Sequence, residues 1–115
     1  MPDRVQLSRR RGFDLQAAGE ALNGLDTVSV ARPGPFGNPF VVGRNGTREE
    51  CVRYFELMLS GYFPVATGPS IEEQRQARQT ILDRLEELRG KNLACWCRLD
   101  GKPCHADALL LVANQ

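Results

Sequence analysis

The sequence has no long apolar run. Its longest, residues 108–113, falls far short of the roughly 20 residues that a membrane-spanning helix needs. The charged opening Met1-Pro2-Asp3-Arg4 has none of the apolar core of a secretory signal. The expected setting is therefore the cytoplasm, with no membrane partner, where thiols stay reduced and a disulfide framework does not form. An excess of charge is missing as well. A net charge of +1 argues against gripping nucleic acid through its phosphates, which takes a basic face. The local exception, Arg9-Arg10-Arg11, reads either as a phosphate contact or as a solvated turn, so nucleic acid has weak support as a partner. Histidine and tryptophan occur once each. Repeats and low-complexity segments are absent, and 115 residues leave room for one domain, residues 1–115, with one modest core.

What the chain does hold is concentrated in one place. Residues 93–105 contain Cys95, Cys97 and Cys104, three of the four cysteines, together with His105 and Trp96. The rest of the chain frames this stretch. Residues 4–8 and 26–31 alternate apolar with polar residues, the period of half-buried strands. Residues 14–22 suggest a short helix among scattered glycines. Thr47 with Glu50, and Ser70 with Glu73, have the spacing of capping boxes that open helices. The first helix carries an apolar stripe of Cys51, Tyr54, Phe55, Met58, Leu59 and Tyr62 and stops at Gly61. A loop over residues 64–69 follows it. The second helix buries Ala77, Ile81, Leu82, Leu85 and Leu88 and stops at Gly90. A third strand is expected over residues 91–97, with Leu93, Cys95 and Cys97 on one face. A last helix starts near Cys104, with Ala106, Leu109, Leu110 and Ala113 inward.

This order predicts an α/β fold: a small, mainly parallel, Rossmann-like sheet with packed helices. The connection between the second and third strands is long and helical, as a parallel crossover requires. Parallel strands end on the same edge, where open α/β sheets bind ligands. The stiff loop of residues 32–40, with Pro33, Pro35 and Pro39, leaves one strand end, and the turn of residues 97–105 leaves the other. Arg32, Asn38, Cys97, Cys104 and His105 are thus expected to line one cleft.

Several chemistries are open at that edge. The start of the last helix favours an anion such as phosphate, assisted by Arg32 or Arg98. The same field also lowers the pKa of Cys104, making it a nucleophile with His105 as acid or base; Cys97 is the other candidate nucleophile. Against this stands a plain reading in which the cysteines only pack and His105 is satisfied. Asn38 presents an amide to a polar ligand edge, or bonds its own turn. A zinc site on Cys95, Cys97, Cys104 and His105 is the alternative cofactor reading, but spacing argues against it. On an extended strand Cys95 and Cys97 stand about 6.5 to 7 Å apart, whereas tetrahedral zinc wants sulfurs about 3.8 Å apart. The zinc-knuckle C-x-x-C is absent, so no cofactor is favoured and a Cys97–Cys104 redox pair lacks its usual spacing.

The motifs Arg32-Pro33…Phe36-Gly37-Asn38-Pro39-Phe40 and Leu88-Arg89-Gly90-Lys91-Asn92-Leu93-Ala94-Cys95-Trp96-Cys97…Pro103-Cys104-His105-Ala106-Asp107 resemble those of domain of unknown function 4326, seen in small proteins of bacteria and their phages. The resemblance runs from Arg4 to Asn114 and is poorest over residues 12–25. The second motif is also similar to the C-terminal segment of domain of unknown function 488. The resemblance implies that the two loops belong to one site and supplies no reaction. The expectation is a nucleotide, nucleoside or modified-nucleobase ligand, possible cysteine-based chemistry at the site, and, as the alternative, a zinc-stabilised or plain interaction module.

Overall fold

The computed structural model describes residues 1–64 and 68–115; the middle of the expected 64–69 loop lies outside the described residues. The described residues form an α/β domain. Its strands are β1 (Arg4–Gln6), β2 (Thr27–Ser29) and β3 (Asn92–Cys95). Its helices are α1 (Leu15–Asn23), α2 (Arg48–Leu59), α3 (Ile71–Asp83) and α4 (His105–Ala113), with a 3-10 turn at Leu85–Glu87. Among the described residues, no helix is long and apolar enough to cross a membrane.

The sheet order is β1-β3-β2 and both pairings are parallel. β3 lies in the middle and all four of its residues are buried. Parallel strands need helical crossovers, and burial on both faces selects near-continuous apolar sequence. The expected parallel arrangement of the second and third strands is what forms: Val28 sits opposite Leu93 and Ser29 opposite Ala94.

The strands are shorter than alternation suggested, and one difference matters. The third strand was expected to run to Cys97 but ends at Cys95. Its last partners are Gln6 on one side and, through the Val30 N–H to the Ala94 carbonyl, the end of β2 on the other. Beyond Cys95 no ladder holds the backbone extended, and the chain bends at Trp96 and Cys97.

Local signals set the helices. Thr47 accepts from the Glu50 N–H while Glu50 accepts from the Thr47 N–H, and Ser70 and Glu73 repeat the arrangement. Such caps satisfy backbone donors that the helix leaves unpaired. Cys51, Phe55, Met58 and Leu59 of α2 are buried. Tyr62, placed on the same stripe by its spacing, is exposed because the helix ends at Leu59 and Gly61 turns the chain in the left-handed region, at φ 97°. The second long helix also stops earlier than Gly90, at Asp83, and continues as the 3-10 turn.

The piece at residues 12–25 has a structural part. Gln16 of α1 donates to the Thr27 carbonyl and accepts from the Thr27 N–H, at 2.7 and 3.0 Å. One side chain thereby pairs the backbone at the start of the edge strand β2, which would otherwise offer free donors and acceptors. Asn92, wholly buried in β3, accepts from the Asp3 N–H and exchanges hydrogen bonds with Asn23. A buried amide bonded this fully ties β1, α1 and β3 together.

Candidate functional site

The carboxyl edge of the sheet opens into a pocket with a cavity volume of about 120 Å³. Arg32, Asn38 and Phe40 come to it from the loop after β2, and Arg48, Cys51 and Val52 from α2. Cys95, Trp96, Cys97 and His105 come from the end of β3 and the start of α4. The two loops marked in the sequence therefore share one pocket, whose walls are mainly apolar with a few convergent polar groups, the composition of small-molecule sites.

The proline-rich loop owes its shape to two buried rings and one amide. Phe36 and Phe40 anchor it in the core. Asn38 donates to the Cys51 carbonyl and accepts from the Phe40 N–H at 2.9 Å. Its amide thus locks the loop to α2, which is the turn-bonding role, although the residue also lines the pocket. Arg32 is exposed on the pocket wall and makes no ion pair or side-chain hydrogen bond among the described residues. Arg98 is exposed and stands outside the pocket lining, so of the two arginines expected there the structure brings only Arg32.

After the bend at Trp96 the chain loops out and returns at Cys104. Arg48 holds this turn. Its guanidinium donates to the carbonyls of Pro103, Arg98 and Lys102 and pairs with the Asp100 carboxylate at 3.0 Å. An arginine fork satisfying several acceptors at once sets the path of a loop that has no ladder of its own. Nothing local in the sequence marks Arg48 for this role, since its partners lie 50 residues or more along the chain.

The turn brings three sulfurs together. Cys95 and Cys104 Sγ are 2.9 Å apart, and the sulfurs of Cys95, Cys97 and Cys104 all lie within 4.8 Å of one another. The extended spacing that argued against a shared ligand is removed by the bend after Cys95. Cys95 and Cys104 are buried and Cys97 is half-buried, and all are free thiols. Cys104 is absent from the pocket lining. The thiol that the pocket reaches is Cys97, with Cys95 behind it.

Two charged side chains complete the cluster. Arg4 of β1 is buried, its Nε 3.4 Å from the Asp107 carboxylate, while its Nη1 has no hydrogen-bond partner. Burial opposes its charge, but Asp107 and then the Cys104 and Cys95 thiols outweigh that and hold its pKa above the ordinary arginine value. Asp107 also accepts from the Cys104 N–H, closing a capping box in which Cys104 takes the place of the usual serine. The donors at the start of α4 are thus turned toward the Cys104 sulfur and Asp107. Asp107, three residues after the cap, was legible as a capping spacing; Arg4 was not, because alternation placed it on a polar face.

The thiols titrate as one unit. Hydrogen bonds from the Cys104 and Cys95 thiols, with Arg48 and Arg4 adding, push Cys97 down to about 3. Cys104 is also lowered, first by the hydrogen bond with Cys95 and further by His105 and the Ala106 N–H. Cys95 is pushed well up by hydrogen bonding to Cys104, then Cys97, and by burial. The cluster therefore loses its first proton readily and holds its last.

His105 is buried with its ring edge-on to Phe55. Its Nε2 lies 2.8 Å from the Val30 carbonyl oxygen and its Nδ1 3.8 Å from Cys104 Sγ. A carbonyl only accepts, so Nε2 carries a proton in this hydrogen bond, and Nδ1 is the ring nitrogen that faces the Cys104 sulfur.

A family model described as a domain of unknown function (DUF4326) matches residues 14–115. It takes in the α1 piece, which the resemblance had placed as its weakest part, and leaves β1 outside. No curated protein and no solved structure matches the chain.

Proposed function

Since the chain belongs to the DUF4326 family, whose description carries no activity, we propose from its own residues that it binds a nucleotide, nucleoside or modified nucleobase and acts on it through the Cys97 thiolate. The observation that carries this reading is the pocket at the carboxyl edge of the sheet, with Arg32 on its wall, unpaired among the described residues, and Cys97 beside it. Phe40, Val42, Val52 and Trp96 offer apolar and aromatic surface to a planar ring. Arg32 offers an unengaged fork to a phosphate or carboxylate. Cys97 is the accessible, acidified sulfur and takes the nucleophile's place, which the sequence had shared with Cys104; Cys104 supports it from behind. His105, with Nδ1 3.8 Å from the Cys104 sulfur, takes the place of the acid/base partner. A cytoplasmic setting, where thiols stay reduced, suits this chemistry.

Thermal-shift and calorimetric titration with a panel of nucleosides, their mono- and diphosphates and modified bases tests the reading. At least one phosphorylated member should stabilise the protein, and Arg32→Ala should weaken it by about tenfold, which is about 1.4 kcal/mol. If no member binds at millimolar concentration, the reading fails and an interaction module takes its place.

A further inference from the structure

We infer that Cys95, Cys97 and Cys104 together hold one soft divalent metal ion, zinc in the first instance, with its fourth coordination position open to the pocket. The sulfur geometry is the first ground. Tetrahedral zinc at about 2.3 Å from each thiolate sets sulfurs about 3.8 Å apart. Cys95 and Cys104 sulfurs stand 2.9 Å apart and all three lie within 4.8 Å of one another, close enough to share one ion. An ion at the centre of the triangle needs shifts of under about 1 Å in side chains. Several irons would spread their thiolates wider, because each sulfur then binds its own metal. The compactness selects a single ion.

Charge is the second ground. Three thiolates around a dication leave one net negative charge, costly to bury unless it is paired. Arg4 supplies the counter-charge. Its guanidinium is buried, has an Nη1 without a hydrogen-bond partner, and interacts with the Cys95 and Cys104 sulfurs. Reduced, protonated thiols would leave that donor facing weak acceptors. Thiolates on a metal remain acceptors for this guanidinium, which also pairs with the Asp107 carboxylate at 3.4 Å.

Placement gives the open position. Cys95 and Cys97 line the pocket whereas Cys104 does not, so an ion among the sulfurs sits in the pocket wall with its free side outward. His105 does not complete a closed four-ligand site: its Nδ1 faces Cys104 but lies outside the set of mutually close ligand atoms. Structural zinc is closed by four protein ligands, while three ligands and a free position mark a site that meets water or substrate. A metal here keeps the Cys97 thiol deprotonated outright and engages its lone pair, so in the metal-loaded protein it is the open coordination position that meets the ligand. The metal itself rests on the sulfur cluster; only the meeting of metal and ligand rests on the nucleotide reading.

The test begins with protein expressed in zinc-supplemented medium and purified without chelator or nickel resin. Mass spectrometry of metals should find about one zinc per chain, the stoichiometry of one shared site. Cobalt exchanged into the protein should show thiolate-to-cobalt charge transfer and the intense visible bands of a tetrahedral ion. Cys97→Ser, at the half-buried position, should weaken zinc binding by at least about tenfold. Adding a nucleotide shown to bind should shift the cobalt bands. A folded protein with all cysteines reduced that takes up neither zinc nor cobalt overturns the inference, as does iron accompanied by sulfide. Nucleotide binding that persists in such metal-free protein leaves the pocket reading standing. Metal binding with cobalt bands unmoved both by a nucleotide that does bind and by a small exogenous ligand such as azide overturns the open position.

Discussion

His105 donates from Nε2 to the carbonyl oxygen of Val30 at 2.8 Å, joining the first residue of α4 to the residue just after β2. The contact closes the carboxyl edge of the sheet and orients the imidazole. A glutamine amide nitrogen reaches a similar place, whereas leucine cannot donate. His105→Leu should lower stability by about 1–3 kcal/mol, leaving the Val30 carbonyl without this donor. His105→Gln should restore most of that while still removing the ring nitrogen that faces Cys104. Urea denaturation reads the first effect, and ligand turnover alone reads the second.

Arg48→Ala should loosen the turn before Cys104 more than it unfolds the protein. Arg48 is about a fifth exposed, so the loss is expected at about 1–2 kcal/mol rather than the full value of a buried fork. The sharper effect is local. Alkylation of Cys97 in the native state should change by at least about tenfold in rate as the turn opens, while Cys51, in the core beneath α2, stays protected. Equal protection of Cys97 in variant and wild type would show that the clamp does not position the cluster.

Asp100 makes that clamp dependent on pH. The Lys102 N–H first, and Arg48 next, hold its carboxyl below the usual aspartate range. A carboxyl lowered on folding contributes stability above its unfolded pKa, and the contribution is lost as pH falls through the depressed folded value. Asp100→Asn should therefore be less stable than wild type at neutral pH, with the gap closing in acid. A gap that widens in acid would contradict the ion pair.

Gly19→Ala should destabilise the edge of the sheet. An added Cβ would lie 1.9 Å from Thr27 Oγ1, in a buried contact where the helix passes over β2. Overpacking of this kind costs about 1–3 kcal/mol. Thr27 Oγ1 has no hydrogen-bond partner, so adding Thr27→Ala should recover part of the loss. Denaturation midpoints of the single and double variants measure that coupling.

The sequence by itself determined the elements whose causes are local. Thr47 with Glu50 and Ser70 with Glu73 mark helix starts because the cap and the group it satisfies lie three residues apart. The strand–helix–strand order also determined that the two loops share an edge, since a long helical crossover makes neighbouring strands parallel. Tertiary structure decided the chemistry at that edge. Cys95 and Cys97 looked divergent on an extended strand, but β3 stops where its neighbours stop, and the bend turns their sulfurs together. Arg48 then returns Cys104 to Cys95 from a different helix, and Arg4 supplies buried charge from a strand at the far end of the sequence. These contacts depend on where partners end and which distant groups meet, and no spacing along the chain records either.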